Sequence, residues 1–113
     1  MMFIYKVCSE TLWSDAARAG AFKGAPVDLA DGYIHFSTQE KLGETLKRHF
    51  GGQSGLVLIE IEAARLGDKL KWEPSRGGAL FPHLYGDLDP AIVRKVEKLK
   101  LGAEGHQIPP LPL

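Results

Sequence analysis

The residues best suited to chemistry are His35, Glu73 and His83, with Lys6, Ser37, Arg76 and Tyr85 as polar or cationic companions. His83 and Tyr85 are two apart, so in an extended segment they share one face. Glu73 follows Trp72 at the end of a short strand, just ahead of the loop Ser75-Arg76-Gly77-Gly78. A carboxylate near imidazoles can be tuned for ligand binding or for proton transfer. His35 lies within Tyr33-Ile34-His35-Phe36, a run of strand formers. Ser37 and Glu40 have the S-x-x-E spacing of a capping box, which predicts a helix opening straight after that strand. A helix N-terminus gathers free N–H groups and the positive end of a dipole, a ready site for an anion. The loop after Pro74 adds the Arg76 guanidinium beside glycines that let a backbone approach closely. These groups fit a cleft with an anion site at its margin. They also fit a capped helix, an ordinary surface loop and a polar-capped core, and the spacing alone leaves both open.

Other chemistries have less support. The histidines are His35, His49, His83 and His106. None is four residues from another, and one cysteine makes no Cys–Cys pair, so no zinc spacing is present. A metal site would need the fold to bring His35, His83 and Glu73 together, and none is expected. Ser37 and Cys8 are possible nucleophiles, but neither sits in a motif such as G-x-S-x-G.

The elements that must position these groups read as a small α+β domain. Residues 3–8 form a first strand, and Ser9 caps a helix running to Arg18, stopped by Gly20. A loop over residues 21–30 leads to the turn Asp31-Gly32. The strand over residues 33–36 feeds a helix over residues 39–50 with Leu42, Leu46 and Phe50 on one face. Leu-Val-Leu-Ile-Glu-Ile-Glu, residues 56–62, is the strongest strand and reads as central. Leu70 to Glu73 makes a short strand closed by Pro74, and Pro82 enforces an extended entry to residues 81–86. Asp89-Pro90 opens a segment in which residues 91–100 suit helix or strand. The tail from about residue 106 to residue 113 is Pro-rich and irregular. The sum is one domain over residues 1–113, with about five or six strands and two main helices.

Composition sets the broad class. The chain has 113 residues, enough for one domain with a real core. Lys and Arg number 14 and Asp and Glu number 14, so no charge footprint for nucleic acid is present. No stretch approaches the roughly 20 apolar residues of a membrane span. One cysteine and no signal-like leader suit a reducing compartment, and a cytoplasmic location is the expectation. Near-zero net charge makes self-association easy without demonstrating it.

Several strings carry a resemblance. Val27-Asp28-Leu29-Ala30-Asp31-Gly32-Tyr33-Ile34-His35-Phe36-Ser37, then Trp72-Glu73, then Phe81-Pro82-His83-Leu84-Tyr85-Gly86 resemble domain-of-unknown-function family 952, small bacterial proteins of about this length. The order strand, helix, Ile-His-Phe-Ser, helix, buried strand is distantly similar to RNA 2′-phosphotransferases of the ADP-ribosyltransferase superfamily. That likeness implies a strongly bent, split β-sheet with an NAD or ADP-ribose type of ligand in its cleft. It implies a transferase in which His35 and His83 hold the ligand, Glu73 stabilises ribosyl cation character or acts as base, and Lys6 and Arg76 meet phosphates. Where members that transfer ADP-ribose carry His-Gly, this chain reads Tyr5-Lys6-Val7. A non-catalytic binding or sensor module with the same cleft is the alternative. No cofactor is certain, and the expected partner is a small molecule.

Overall fold

The first strand, β1 (Phe3–Ser9), alternates between two cores. Ile4 and Cys8 face one, and Tyr5 and Val7 face the other. The computed structural model describes residues 2–112, the side chain of Arg76 excepted. Ser9 ends β1 and caps α1 (Glu10–Ala19), its hydroxyl accepting the Leu12 N–H at 3.1 Å. Of the apolar residues Leu12, Trp13, Ala16 and Ala17, Trp13 and Ala16 form the buried face of α1 while Ala17 is exposed, and Gly20 closes the helix where the sequence predicts its stop.

The strongest strand lies where its apolar run requires. β4 (Leu56–Glu62) is buried from Leu56 to Ile61 and pairs antiparallel with β1 over seven residues, Phe3 opposite Glu62 through Ser9 opposite Leu56. On its other side β4 pairs with β7 (Lys95–Gly102). Of residues 91–100, which suit helix or strand, the first two end a 3₁₀ turn (Pro90–Ile92) and residues 95–100 are strand, because β4 needs a partner on that edge. With β3 (Ser37–Thr38) and β8 (Gly105–Gln107) the sheet runs β3-β1-β4-β7-β8. A second sheet runs β2-β6-β5 from β2 (Ile34–His35), β6 (Leu80–Leu84) and β5 (Leu70–Pro74). All strand pairs are antiparallel. The result is a small α+β domain with a strongly curled antiparallel sheet. The described residues hold eight strands rather than five or six. The excess is β3 and β8, two and three residues long and too short to show a period.

The five-stranded sheet is covered on both faces. On one, Val57, Ile59 and Ile61 pack with Trp13, Phe22, Ile34, Phe36, Leu84 and Leu88. On the other, Leu56, Leu58 and Leu99 meet Leu42 and Leu46 of α3 (Leu42–Phe50), with Phe50 packed alongside.

Two expectations fail near residues 26–41. The loop contains a helix, α2 (Pro26–Asp31), with Pro26 in its first turn. Pro fits there because its missing N–H has no partner to lose. Gly32 follows at φ 87°, the left-handed cap. The second failure is the start of α3, at Leu42 rather than residue 39, with no side-chain cap. Ser37 is not a helix cap. It is drawn into β3, opposite Tyr5 of β1, and its Oγ lies 2.8 Å from Thr45 Oγ1. Sheet pairing thus outcompetes the capping box, and the anion site expected at Ser37 is absent there.

Candidate functional site

β3 covers β1 only at Ile4 and Tyr5, and the chain departs to the second sheet through Phe36, whose N–H donates to Pro82 O. The two sheets part beside Lys6 and Val7. A cavity of about 440 Å³ opens there, with Tyr5, Lys6, Val7, Val27, Asp31, His35, Phe36, Ser37, Thr45, His49, Phe50, Ser75, Phe81 and His83 around it.

The strand period puts the histidines together. In the β2–β6 pair His35 stands opposite His83 and Ile34 opposite Leu84. Directly opposed residues share a face. Ile34 and Leu84 therefore enter the core, while His35 and His83 face the other way, their ring centroids 5.3 Å apart and edge-on. Tyr33 and Tyr85, two residues from each, fall on that same face. Tyr33 stacks on His83 at 4.2 Å and lies 4.7 Å from His35 and 5.2 Å from Tyr85.

Carboxylates fix both rings. In the β5–β6 pair Lys71 stands opposite His83 and Glu73 opposite Phe81, so Glu73 is the diagonal neighbour of His83. Glu73 Oε1 lies 2.8 Å from His83 Nδ1 and accepts the Tyr85 hydroxyl at 2.8 Å. Those two bonds, His83 first, lower the Glu73 pKa. His83 is buried, while the Glu73 side chain is 38% exposed. His35 Nδ1 lies 2.6 Å from Asp28 Oδ1, and its Nε2 lies 2.9 Å from Asp31 Oδ2.

Asp28 is bonded on both carboxylate oxygens. It is 1% exposed. Its oxygens accept the Ala25 N–H at 2.8 Å, the His35 N–H at 3.1 Å and the Lys6 ammonium at 2.7 and 3.0 Å. Burial pushes its pKa up, but the His35 bond and the Lys6 charge outweigh burial and hold it at about 2. Burial likewise lowers the Lys6 pKa, against the pull of Asp28. Gly24 makes the approach possible: a Cβ there would stand 2.7 Å from the Asp28 Cβ.

The structure thus gathers His35, His83, Glu73 and Tyr85 into one cluster, with Lys6 and Ser37 at the cavity beside it. Two details differ from expectation, and the Arg76 side chain lies outside the described residues. The Lys6 ammonium is spent on Asp28, because Lys6 shares the face of β1 that carries Ile4 and Cys8 and cannot stay buried unpaired. Glu73 turns toward His83 and Tyr85 and does not line the cavity. The backbone of Arg76 lies in a 3₁₀ turn after Ser75. Three residues were missed. Tyr33 was visible by its spacing of two from His35. Asp28 and Asp31 were hidden by the reading of α2 as loop, although Pro26, Asp28 and Gly32 carried the signal of a short helix. Among the described residues no group of three or more His, Cys, Asp or Glu is placed to hold a metal ion. No helix there is long and apolar enough to cross a membrane.

A family model described as "Protein of unknown function (DUF952)" matches residues 7–96. No curated protein matches. Among solved structures, the crystal structure of protein CC0527 from Caulobacter crescentus is 49% identical, with 93% of each chain covered and a TM-score of 0.90. The solution structure of the same protein is 49% identical over 94% of this chain and 91% of that one, with a TM-score of 0.84.

Proposed function

The chain belongs to the DUF952 family, and from its geometry we propose a cavity for a small nucleotide-like ligand on which it acts as a transferase. The ligand type that the resemblance suggests is NAD or ADP-ribose. His35 and His83 are the reacting groups, and Asp28 and Glu73 orient them. One observation carries this reading. Two cross-strand histidines face one cavity, and each has its Nδ1 on a carboxylate. A carboxylate behind an imidazole fixes tautomer and orientation, which a general acid or base requires. The surroundings suit a nucleotide. Tyr5, Phe36, Phe50 and Phe81 offer apolar and aromatic walls for a base, and Ser37, Thr45 and Ser75 add hydroxyl-bearing residues to the lining. A volume of about 440 Å³ lies in the usual range for small-molecule sites. The contact of Asp31 with the second nitrogen of His35 favours the alternative, a binding module in which that ring only holds a ligand.

The test is a thermal-shift screen against NAD, ADP-ribose and nucleoside phosphates. A ligand at 100 times its Kd should raise stability by about 2.7 kcal/mol. The shift should vanish in His83→Ala while the ligand-free protein still melts cooperatively. Binding without turnover selects the binding module. A ligand whose binding ignores both His35→Ala and His83→Ala refutes the site.

A further inference from the structure

The two histidines are not equivalent, and the difference follows from counting hydrogens. An ionised carboxylate can only accept. His35 has a carboxylate oxygen on each nitrogen, Asp28 at 2.6 Å and Asp31 at 2.9 Å. Two carboxylates are both satisfied only when both nitrogens donate, so Nε2 is the nitrogen placed to give up a proton. His83 has one carboxylate, Glu73 at 2.8 Å from Nδ1. A carboxylate at Nδ1 favours the tautomer that donates from there, which leaves Nε2, on the far side of the ring from Glu73, as the nitrogen placed to accept. One wall of the cavity thus carries a proton donor and a proton acceptor 5.3 Å apart between ring centroids.

We propose that this pair is the acid and the base of a displacement at the phosphate diester of a ribonucleotide, His83 acting as base and His35 as acid. The inference rests on the nucleotide reading above and names its reacting bond, with water in place of a second substrate as the acceptor of the transferred group. A glycosidic centre needs a carboxylate free to face it. Glu73 is held by His83 and Tyr85 and lies outside the cavity, and Asp31 leaves the reacting face when the ligand displaces it from His35. In-line displacement at phosphorus needs instead one proton removed and one delivered. The ligand takes the place of Asp31 at His35 Nε2. Asp31 lies on the exposed end of α2, its side chain 44% exposed, so it can turn to solvent. A water oxygen then bonds to phosphorus as its proton passes to His83 Nε2. The bond from phosphorus to the leaving ribose oxygen breaks with its electron pair, and that oxygen takes the proton from His35 Nε2. One water is consumed, a phosphomonoester and a hydroxyl appear, and exchange with solvent restores both rings.

Two measurements test it. Ring ¹⁵N NMR of the free protein at pH 7 needs no variant. It should show His35 protonated on both nitrogens and His83 on Nδ1 alone; the same form on both rings overturns the assignment of acid and base. The second is ³¹P NMR and absorbance with two probes, 2′,3′-cyclic AMP and bis(4-nitrophenyl) phosphate. The nitrophenolate departs without a proton, so it does not need the acid. His83→Gln should slow both probes, by about 10²–10⁴-fold for a lost general base. His35→Gln should slow the cyclic nucleotide to a similar degree and largely spare the nitrophenyl ester. Equal losses on both probes in His35→Gln, or no cleavage of either by the unaltered protein, overturn the proposal. Nicotinamide release from NAD without P–O cleavage overturns it while leaving the nucleotide reading intact. Failure of every nucleotide to bind overturns that reading as well.

Discussion

The Lys6–Asp28 pair joins β1, α2 and the His35 ring, and its removal tests how the site is built. Both side chains are buried, 6% and 0% exposed. Asp28→Ala leaves the Lys6 ammonium buried without a counter-charge, and losing one partner of a buried pair costs about 3–5 kcal/mol. Lys6→Met is milder. Asp28 keeps the Ala25 N–H, the His35 N–H and His35 Nδ1, so the expected cost is about 1–3 kcal/mol. The double variant strands no charge, and it should cost less than the sum of the singles by about 2 kcal/mol, within the usual range for coupled neighbours. Urea denaturation with unchanged m-values is the assay. The pair should also show in acid. A folded pKa of about 2 for Asp28, against about 3.9 unfolded, contributes about 2–3 kcal/mol at neutral pH. A depressed carboxylate contributes fully above its unfolded value and loses that contribution as pH falls. Stability should therefore decline between about pH 4 and pH 2, and less steeply in Asp28→Ala. Additive single-variant costs, or an acid limb unchanged in Asp28→Ala, would refute the reasoning.

Three further outcomes are expected. Leu46→Ala removes a side chain 3% exposed beneath the five-stranded sheet, and should cost about 2–5 kcal/mol in chemical denaturation. Burial pushes the Cys8 thiol up to about 11, so the native protein should resist iodoacetamide at pH 8 and react only on unfolding. Tyr85→Phe removes one of the two bonds that lower the Glu73 pKa, so ¹³C NMR of the Glu73 carboxyl should show it titrating at higher pH than in the unaltered chain.

The sequence was most legible where one physical signal acted alone. Leu56–Glu62 is apolar enough to be central in any fold, and Ser9, Trp13, Ala16 and Gly20 spell out α1 with its caps and buried face. Ser37 misled because two signals competed for it. Its spacing from Glu40 suits a cap, yet β1 offered an unpaired edge, and pairing across distant sequence cannot be read locally. The spacing of His83 and Tyr85 anticipated their shared face, and the extended segments around His35 and Glu73 anticipated the cluster. The pairing of Lys6 with Asp28 was not legible, because a lone lysine among apolar strand residues does not show which side it takes. Only the alternation of β1 against β4 turns it inward, and only α2 supplies Asp28.

The central claim is that His35 and His83 form one wall of a nucleotide-like ligand site. Titration of ¹⁵N-histidine-labelled protein with ADP-ribose and with 2′,3′-cyclic AMP, followed by ring ¹⁵N shifts, tests it most directly. His106 is a built-in control, since its Nε2 lies 2.7 Å from Gln53 O and it does not line the cavity. The account predicts that His35 and His83 shift together with one saturating curve while His106 stays still. Saturating shifts confined to His106, or none at millimolar ligand, would contradict it.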